Sequence, residues 1–216
     1  MNRKGNIRII KAFPMSVKII MIAIATILIA DVANAQTERN SRANKKEKLY
    51  LHLSLPFINS FCMKLENEGT NVKTGIFGVS VGLDYHHSKN QFVHLGASSV
   101  THLFSMPKSN GELMTSEYIS LSNNHIIKKF TIGYGFSYGK NYWEKWEKGW
   151  GWLSLIPTES ENHHVFGLTF PTYFQITKFF NVGIIYNPTF YRPAVSKKFL
   201  YEHVISVDFA FKIRII

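Results

Sequence analysis

The chain has 216 residues, of which 45% are hydrophobic and 14% are aromatic, with 17 Phe and 10 Tyr. This length fits one domain, and the apolar content excludes an intrinsically disordered chain. The formal net charge is +11, but the cations form no basic stripe, RNA-binding signature or zinc-type spacing, so we expect no nucleic-acid partner. Cys62 is the single cysteine, which excludes an intramolecular disulfide.

The N-terminal segment, 1–35, has the three parts of a secretory signal peptide. Five cations precede an apolar run at 19–30, and Ala33-Asn34-Ala35 forms an A-x-A site for cleavage before the next residue. The apolar run is shorter than the roughly 20 residues that a transmembrane helix needs, which favours a cleaved signal over an anchor. Met1 and Met15 are both candidate initiators.

The rest of the chain divides into a polar leader at 36–48, predicted to lie in the periplasm, and a β-domain at 49–216. In the β-domain, segments of about ten residues carry apolar side chains at every second position, which is the period of a strand with two unlike faces. Glycine at alternate positions argues against helix. The eight predicted apolar faces are 49–57, 77–85, 93–97, 119–121, 130–138, 166–176, 182–190 and 205–215.

Two observations decide which face meets the core, since a soluble lipocalin-like barrel would show the same period. The non-apolar face consists mostly of Gly, Ser and Thr, which suit a crowded interior better than a soluble exterior. The predicted connections also alternate between short and long, as in outer-membrane barrels. The short ones are 87–91, 123–128 and 177–180, and the long ones are 58–73, 104–117, 141–163 and 192–199.

With these patterns, residues 49–216 resemble the small eight-stranded outer-membrane barrels of the OmpX/OmpA type, without a peptidoglycan-binding domain. The resemblance implies an all-β, antiparallel, up-and-down transmembrane barrel, exported by the signal peptide. It also implies contact with outer-membrane lipid and lipopolysaccharide, and with the barrel-assembly machinery during insertion. The terminal strand is similar to the insertion signal of that family, although it ends in Ile215-Ile216 and not in an aromatic residue.

A tryptophan-rich segment within 141–163 is the sharpest local feature of the sequence. One interpretation is a recognition loop whose flat rings stack on sugars or cations; the other is an aromatic girdle or loop packing at the membrane boundary. Either interpretation places these side chains in an outer loop. The candidate residues are Trp143, Trp146, Trp150 and Trp152.

Several histidines are expected near the outer ends of strands, close to Ser160 and Glu161. A histidine with a serine and a carboxylate would suit a lipid A-modifying enzyme, but no stretch matches the motifs of such enzymes, and neighbouring histidines in a strand point to opposite faces. We therefore predict rim histidines bonded to water or backbone, no catalytic residues, no cofactor and no metal site. The residues are His102, His163, His164 and His203.

Charged residues on the small-residue face are predicted to form a polar network in the lumen. An unpaired charge in so narrow a space is costly, so we expect a salt-bridge plug and a filled lumen, with Lys212 and Arg214 approaching Tyr50 and His52 where the barrel closes. The predicted network comprises Asp84, Glu202, Asp208, Lys212 and Arg214.

These features favour a non-enzymatic outer-membrane protein with a structural or surface-interaction role carried by its outer loops. Such a barrel would not be a general pore, and its surface partner is not identified by the sequence. Two alternatives stay open: binding or transport of a small ligand, and lipid A modification.

Overall fold

The computed structural model describes residues 48–66, 69–102, 110–148, 155–193 and 198–215. The predicted signal peptide and residues 36–47 of the predicted leader lie outside this described part. Within it, no helix has the length and hydropathy of a membrane span. The strands are β1 (Lys48–Leu65), β2 (Gly69–Ile76), β3 (Gly78–His86), β4 (Gln91–Thr101), β5 (Asn110–Ile127), β6 (Phe130–Lys148), β7 (Leu155–Gln175), β8 (Phe180–Arg192) and β9 (Lys198–Arg214).

These nine strands form one antiparallel sheet that closes on itself, because β1 pairs with β9 as well as with β2 and β3. Strands β2 and β3 lie end to end along the same side of β1: β3 pairs with 48–54 and β2 pairs with 58–65. Together they act as one strand interrupted at Phe77. The structure is therefore an eight-stranded barrel, and the predicted fold class is confirmed.

The exterior of the barrel is apolar and its interior is polar, as β6 shows. The outward side chains of 130–138 are 48–59% exposed, whereas the inward Ser137 and Asn141 are 4% and 3% exposed. At about 3.3 Å per residue this stretch covers about 26 Å along the strand, which is of the order of the apolar band of outer-membrane barrels. An exterior of bare Phe, Tyr and Ile side chains is stable only against lipid.

The connections at one end of the barrel are short: 87–90, 128–129 and 176–179. The first residue of β1 and the last of β9 lie at the same end. Short turns mark the periplasmic end of an outer-membrane barrel, so the opposite end, where 103–109, 149–154 and 194–197 connect the strands, is the outer end.

At one level of the barrel, an irregularity in β1 lies beside another at Phe77, between β2 and β3. Together they exchange the inward-facing and outward-facing positions along both sides of this strand pair. The register of β1 against β9 shifts between Pro56 and Ile58, and Phe77 adopts a φ of 96° between β2 and β3. Asn59 is fully buried there, and its Nδ2 donates to the carbonyl oxygens of Pro56 (3.1 Å) and Phe77 (3.0 Å). Above this level the odd-numbered residues of β1 point inward.

The predicted long loops are wrong in extent, because the strands continue through most of them. Segment 58–73 is the upper part of β1 with β2, and 141–163 is largely the outer ends of β6 and β7. Predicted loop 104–117 and turn 123–128 likewise contain parts of β5. We define the outer extension as 58–76, 110–117, 139–148 and 155–165, which continue the sheet beyond the apolar belt.

Candidate functional site

Near the periplasmic end, the lumen holds a charged cluster centred on Asp84 of β3. Its Oδ2 lies 2.7 Å from Lys212 Nζ and 3.4 Å from His52 Nδ1, and its Oδ1 lies 2.6 Å from His94 Nδ1. Asp84 is fully buried and His52 is 3% exposed. The ammonium and the two imidazoles together compensate a carboxylate that would otherwise be costly to bury.

The closure of β1 on β9 brings this cluster together. His52 pairs with Lys212 and Tyr50 pairs with Arg214, which is the approach that the sequence predicts. Arg214 lies on the same face of β9 as Lys212 and is exposed at the end of the strand. Lys212 also lies over the ring of Phe92, with its Nζ 4.0 Å from the ring centroid. Its ammonium group therefore contacts both the Asp84 carboxylate and an aromatic face.

One level further in, Asp208 of β9 accepts a hydrogen bond of 2.7 Å from the hydroxyl of Tyr173. Asp208 is fully buried, and Tyr173 forms a small apolar cluster with Ile185 and Ala210. The hydroxyl satisfies one carboxylate oxygen in a setting with little access to water. Asp208 is thus on the inner side of the barrel wall.

A second charged cluster lies at the outer end, around Glu202 of β9, which is 1% exposed. Arg192 Nη2 donates to Glu202 Oε1 over 2.7 Å, and His163 Nε2 lies 3.0 Å from Glu202 Oε2. Arg192 also donates to Glu161 over 3.3 Å and to the carbonyl oxygen of Lys64. The cluster joins β1, β7, β8 and β9 at the level where the outer extension begins.

Apolar side chains also fill the interior around the level of this cluster. Side chains from five strands pack together there, beside the buried polar groups of the Glu202 cluster. Phe61 and Met114 are 0% exposed, and Met63 is 1% exposed. The cluster, called the outer core below, comprises Phe61, Met63, Leu65, Val100, Met114, Tyr118, Trp143 and Val204.

Trp143 is part of this outer core, and its prediction as a surface-loop residue is wrong. It lies on β6, is 3% exposed, and its indole Nε1 donates to Glu112 over 3.2 Å. Trp146 is half-buried near the end of β6. Trp150 and Trp152 lie outside the described residues. The aromatic side chains exposed around the barrel are Tyr and Phe.

Glu112, on the outer extension, links the hairpin of β1 and β2 to the strand pair β5–β6. Burial raises the pKa of this carboxyl, but hydrogen bonds from Asn71 and Trp143 and the charge of Lys73 outweigh that effect and hold the pKa below its usual value. The Asn71 contact is 2.6 Å and the Lys73 contact is 3.5 Å. The carboxylate therefore acts as a bridge across two parts of the extension.

The four predicted histidines occupy four different settings, and the prediction of bonding only to water or backbone is wrong for two of them. His163 points inward to Glu202, whereas His164 on the outer face lies 3.1 Å from the hydroxyl of Tyr138. His203 lies between the rings of Tyr186 and Tyr201. His102 is buried. Among the described residues, no serine hydroxyl forms a hydrogen bond with a histidine ring.

Sequence reasoning placed His52 near Lys212 but did not include it in the polar network, and it missed His94, Arg192 and His163 as members of the charged clusters. The alternation of each strand places His52 and His94 on the small-residue face, and that signal could have found them. Arg192 could not be found this way, because the register of β8 shifts between Thr189 and Tyr191. Such a bulge changes which face the following residues occupy.

Comparison with known proteins gives similarity in structure only. No protein-family model matches the sequence, and no curated protein shows significant similarity to it. Neisserial surface protein A is similar to 77% of this chain over 97% of its own, with a TM-score of 0.46 and 10% identity. Ail, the attachment invasion locus protein of Yersinia pestis, covers 78% of this chain and 99% of its own, with a TM-score of 0.46 and 9% identity. The N-terminal barrel domain of Pseudomonas aeruginosa OprF covers 76% and 96%, with a TM-score of 0.38 and 10% identity.

The assignment to a membrane rests on the geometry of the chain itself. A closed barrel leaves no unpaired sheet edge in lipid, its exterior is apolar over a band of membrane height, and its short turns lie at one end. This chain is an outer-membrane β-barrel.

Proposed function

We propose that the chain is a surface protein of the outer membrane with a structural or interaction role, and that its outer extension carries this role. The observation that supports the proposal is the continuation of β5, β6 and β7 well past the apolar belt. Strand β6 runs about ten residues beyond Tyr138, which is about 33 Å along the strand. Its inner face packs on the outer core, so its outer face is available to a partner.

The outer face of this extension is polar and aromatic. On β6, Lys140 Nζ lies 4.5 Å from the ring centroid of Tyr142, and Glu144 follows on the same face. On β7, Ser160 and Asn162 are exposed. A surface of mixed charge with tyrosine suits contact with a polar partner, and it separates the extension from the lipid-facing belt below.

Labelling of intact cells with a membrane-impermeant maleimide tests this proposal. In a Cys62→Ser background, Glu144→Cys and Asn162→Cys are expected to react, because both positions lie on the extension. Lys178→Cys, in a periplasmic turn, and Phe136→Cys, in the belt, are the matched controls and are expected to stay unlabelled. Labelling of Lys178→Cys without labelling of Glu144→Cys would overturn the proposal.

We further propose that the barrel does not conduct ions. Two charged clusters and the outer core fill the lumen, and two cavities lined by lumen side chains have volumes of about 20 and 10 Å³. Volumes of this size hold about one water molecule each. We expect no stable conductance in planar bilayers, and regular unitary steps from the purified barrel would contradict the filled lumen.

A lipid A-modifying activity finds no support in the position of His163. Its ring points into the barrel and bonds Glu202, whereas acyl chains lie outside the barrel wall. We expect His163→Ala to leave the lipid A mass spectrum unchanged. A deletion strain whose lipid A profile changes and is restored by the wild type but not by His163→Ala would reinstate the enzyme.

A further inference from the structure

The cluster around Asp84 contains a set of ligands suited to a metal ion. The candidate donor atoms of His52, Asp84 and His94 all lie within 4.8 Å of one another. Two imidazole nitrogens and one carboxylate are the donors that Zn²⁺ and its neighbours among the divalent transition metals prefer, whereas Ca²⁺ and Mg²⁺ favour oxygen ligands alone. Within the described residues, this is the one group of three such side chains with that spacing.

Three neighbouring strands bring these ligands to one level. Asp84 pairs directly with His94 between β3 and β4, and His52 pairs with Gly82 between β1 and β3. All three residues point into the lumen. Because the sheet fixes the strands against each other, the ligands are held by the barrel wall and not by a loop.

Two glycines make room for the His94 ring. A Cβ atom at Gly82 would lie 2.5 Å from His94 Cε1, and a Cβ at Gly96 would lie 2.4 Å from His94 Nε2. Any larger residue at either position would force the ring to move. The glycines therefore let the imidazole lie against the wall with its Nδ1 directed at Asp84, which sets the orientation that a ligand requires.

Space and charge around the cluster fit a bound ion. A cavity of about 20 Å³, lined by His52, His94 and the hydroxyls of Ser80, Ser98 and Ser120, adjoins the ligands. It has room for one water molecule as a fourth ligand. Lys212 contacts Asp84 on the oxygen that faces His52, so its ammonium occupies part of the volume where a metal charge would lie. The same ammonium lies 4.0 Å from the Phe92 ring centroid, so the aromatic face can continue to hold it when its contact with Asp84 is lost.

We propose that His52, Asp84 and His94 form a binding site for a divalent transition-metal ion of the zinc class, and that Lys212 acts as the internal counter-ion that the metal displaces. A four-coordinate ion at about 2.0–2.2 Å from each donor needs donors about 3.3–3.5 Å apart. On binding, His94 Nδ1 and Asp84 Oδ1 would move slightly apart from their 2.6 Å separation. The two donor atoms that are farthest apart, within 4.8 Å, would move closer together. The bound ion would cross-link β1, β3 and β4 near the periplasmic mouth.

Metal titration of the folded, untagged full-length mature barrel in detergent micelles tests the site. After treatment with EDTA, calorimetry with Zn²⁺ is expected to give one ion per barrel, and Co²⁺ is expected to give visible d–d absorption of a nitrogen-containing site. His52→Gln and His94→Gln are each expected to weaken binding at least about tenfold. Lys212→Met is expected to tighten it, because the competing cation is gone.

His164→Gln is the matched control, since His164 lies on the outer face and bonds Tyr138. Its Zn²⁺ affinity is expected to equal that of the wild type. Heat-modifiable gel migration verifies that each variant is folded, and a Zn²⁺-dependent rise in the unfolding midpoint of the wild type gives a readout that needs no variant. Absence of binding by the folded wild type, or unchanged binding in folded His52→Gln and His94→Gln, would overturn the proposal.

Discussion

The membrane-spanning part and the outer extension bury different proportions of polar and apolar side chains. In the membrane the interior is polar, with Asp84 and Asp208 fully buried, and the exterior is Phe, Tyr and Ile. In the extension the interior contains a large apolar cluster around a few buried polar groups, with Phe61 and Met114 fully buried, and the exterior meets water. The same sheet therefore changes its polarity when its surroundings change from lipid to water.

The two parts are also held together differently. In the extension, stability comes from burial of apolar area, as in a soluble protein. In the membrane part, lipid already solvates the apolar exterior, so pairing of charges inside the wall and strand hydrogen bonds contribute a larger share. Variants in each part can test this difference.

The largest effect is expected where the two parts meet, at Arg192. Replacing it by Met leaves Glu202 buried without its guanidinium partner, and we expect a loss of about 3–5 kcal/mol in the free energy of unfolding. Urea unfolding in micelles measures this loss. Lys178→Met, in an exposed turn, is the control and should stay close to the wild type.

A double variant sharpens the same prediction. Arg192→Met with Glu202→Gln removes both charges, so part of the lost stability should return. A double variant that is less stable than Arg192→Met alone would show that Glu202 stabilises the barrel without Arg192.

A somewhat smaller effect is expected from Phe61→Ala in the outer core. Phe61 is fully buried among protein side chains, so truncation leaves a cavity and should cost about 3 kcal/mol. Phe136→Ala removes the same atoms from the lipid-facing belt, where detergent or lipid can fill the space, and should cost less. Equal losses in the two variants would contradict the contrast between the two interiors.

The same contrast between belt and extension explains which of the two parts the sequence predicts well. The pattern of residues 130–138 predicts a strand, because apolar side chains alternate with Gly, Thr and Ser. Beyond Tyr138 the same positions continue to face inward, but the outer face loses its apolar residues, with Lys140 and Glu144 outside and Trp143 inside. A prediction based on apolar side chains at every second position therefore ends the strand at the membrane boundary. It assigns the following residues of β6 to a loop.

The charged clusters were predictable only in part for a related reason. Alternation places Asp84, Asp208 and Lys212 on the inner face, and the closure of β1 on β9 predicts that Lys212 approaches His52. It does not predict how far the strands are shifted at a bulge. The shifts at Pro56–Ile58 and Thr189–Tyr191 decide which residues above them point inward, Phe61 and Arg192 included.

The smallest effect is expected from the pH dependence of the Glu112 bridge. The pKa of Glu112 is lower in the folded chain than its ordinary value, so its contribution is present above the ordinary carboxyl pKa and is lost as the pH falls through the lowered one. Wild type should lose somewhat more unfolding free energy than Glu112→Gln between pH 7 and pH 3, by less than about 1 kcal/mol. Tryptophan fluorescence follows the change at Trp143, and identical pH profiles would contradict the bridge.

The inversion of polarity at the membrane boundary is tested most directly by nitroxide labels along β6 of the barrel in lipid vesicles. In a Cys62→Ser background, labels at Phe136 and at Glu144 share the outer face and differ in height. Collision with oxygen should dominate at position 136, as in lipid, and collision with a water-soluble nickel chelate should dominate at position 144. Nickel dominance at position 136, or oxygen dominance at position 144, would contradict the account.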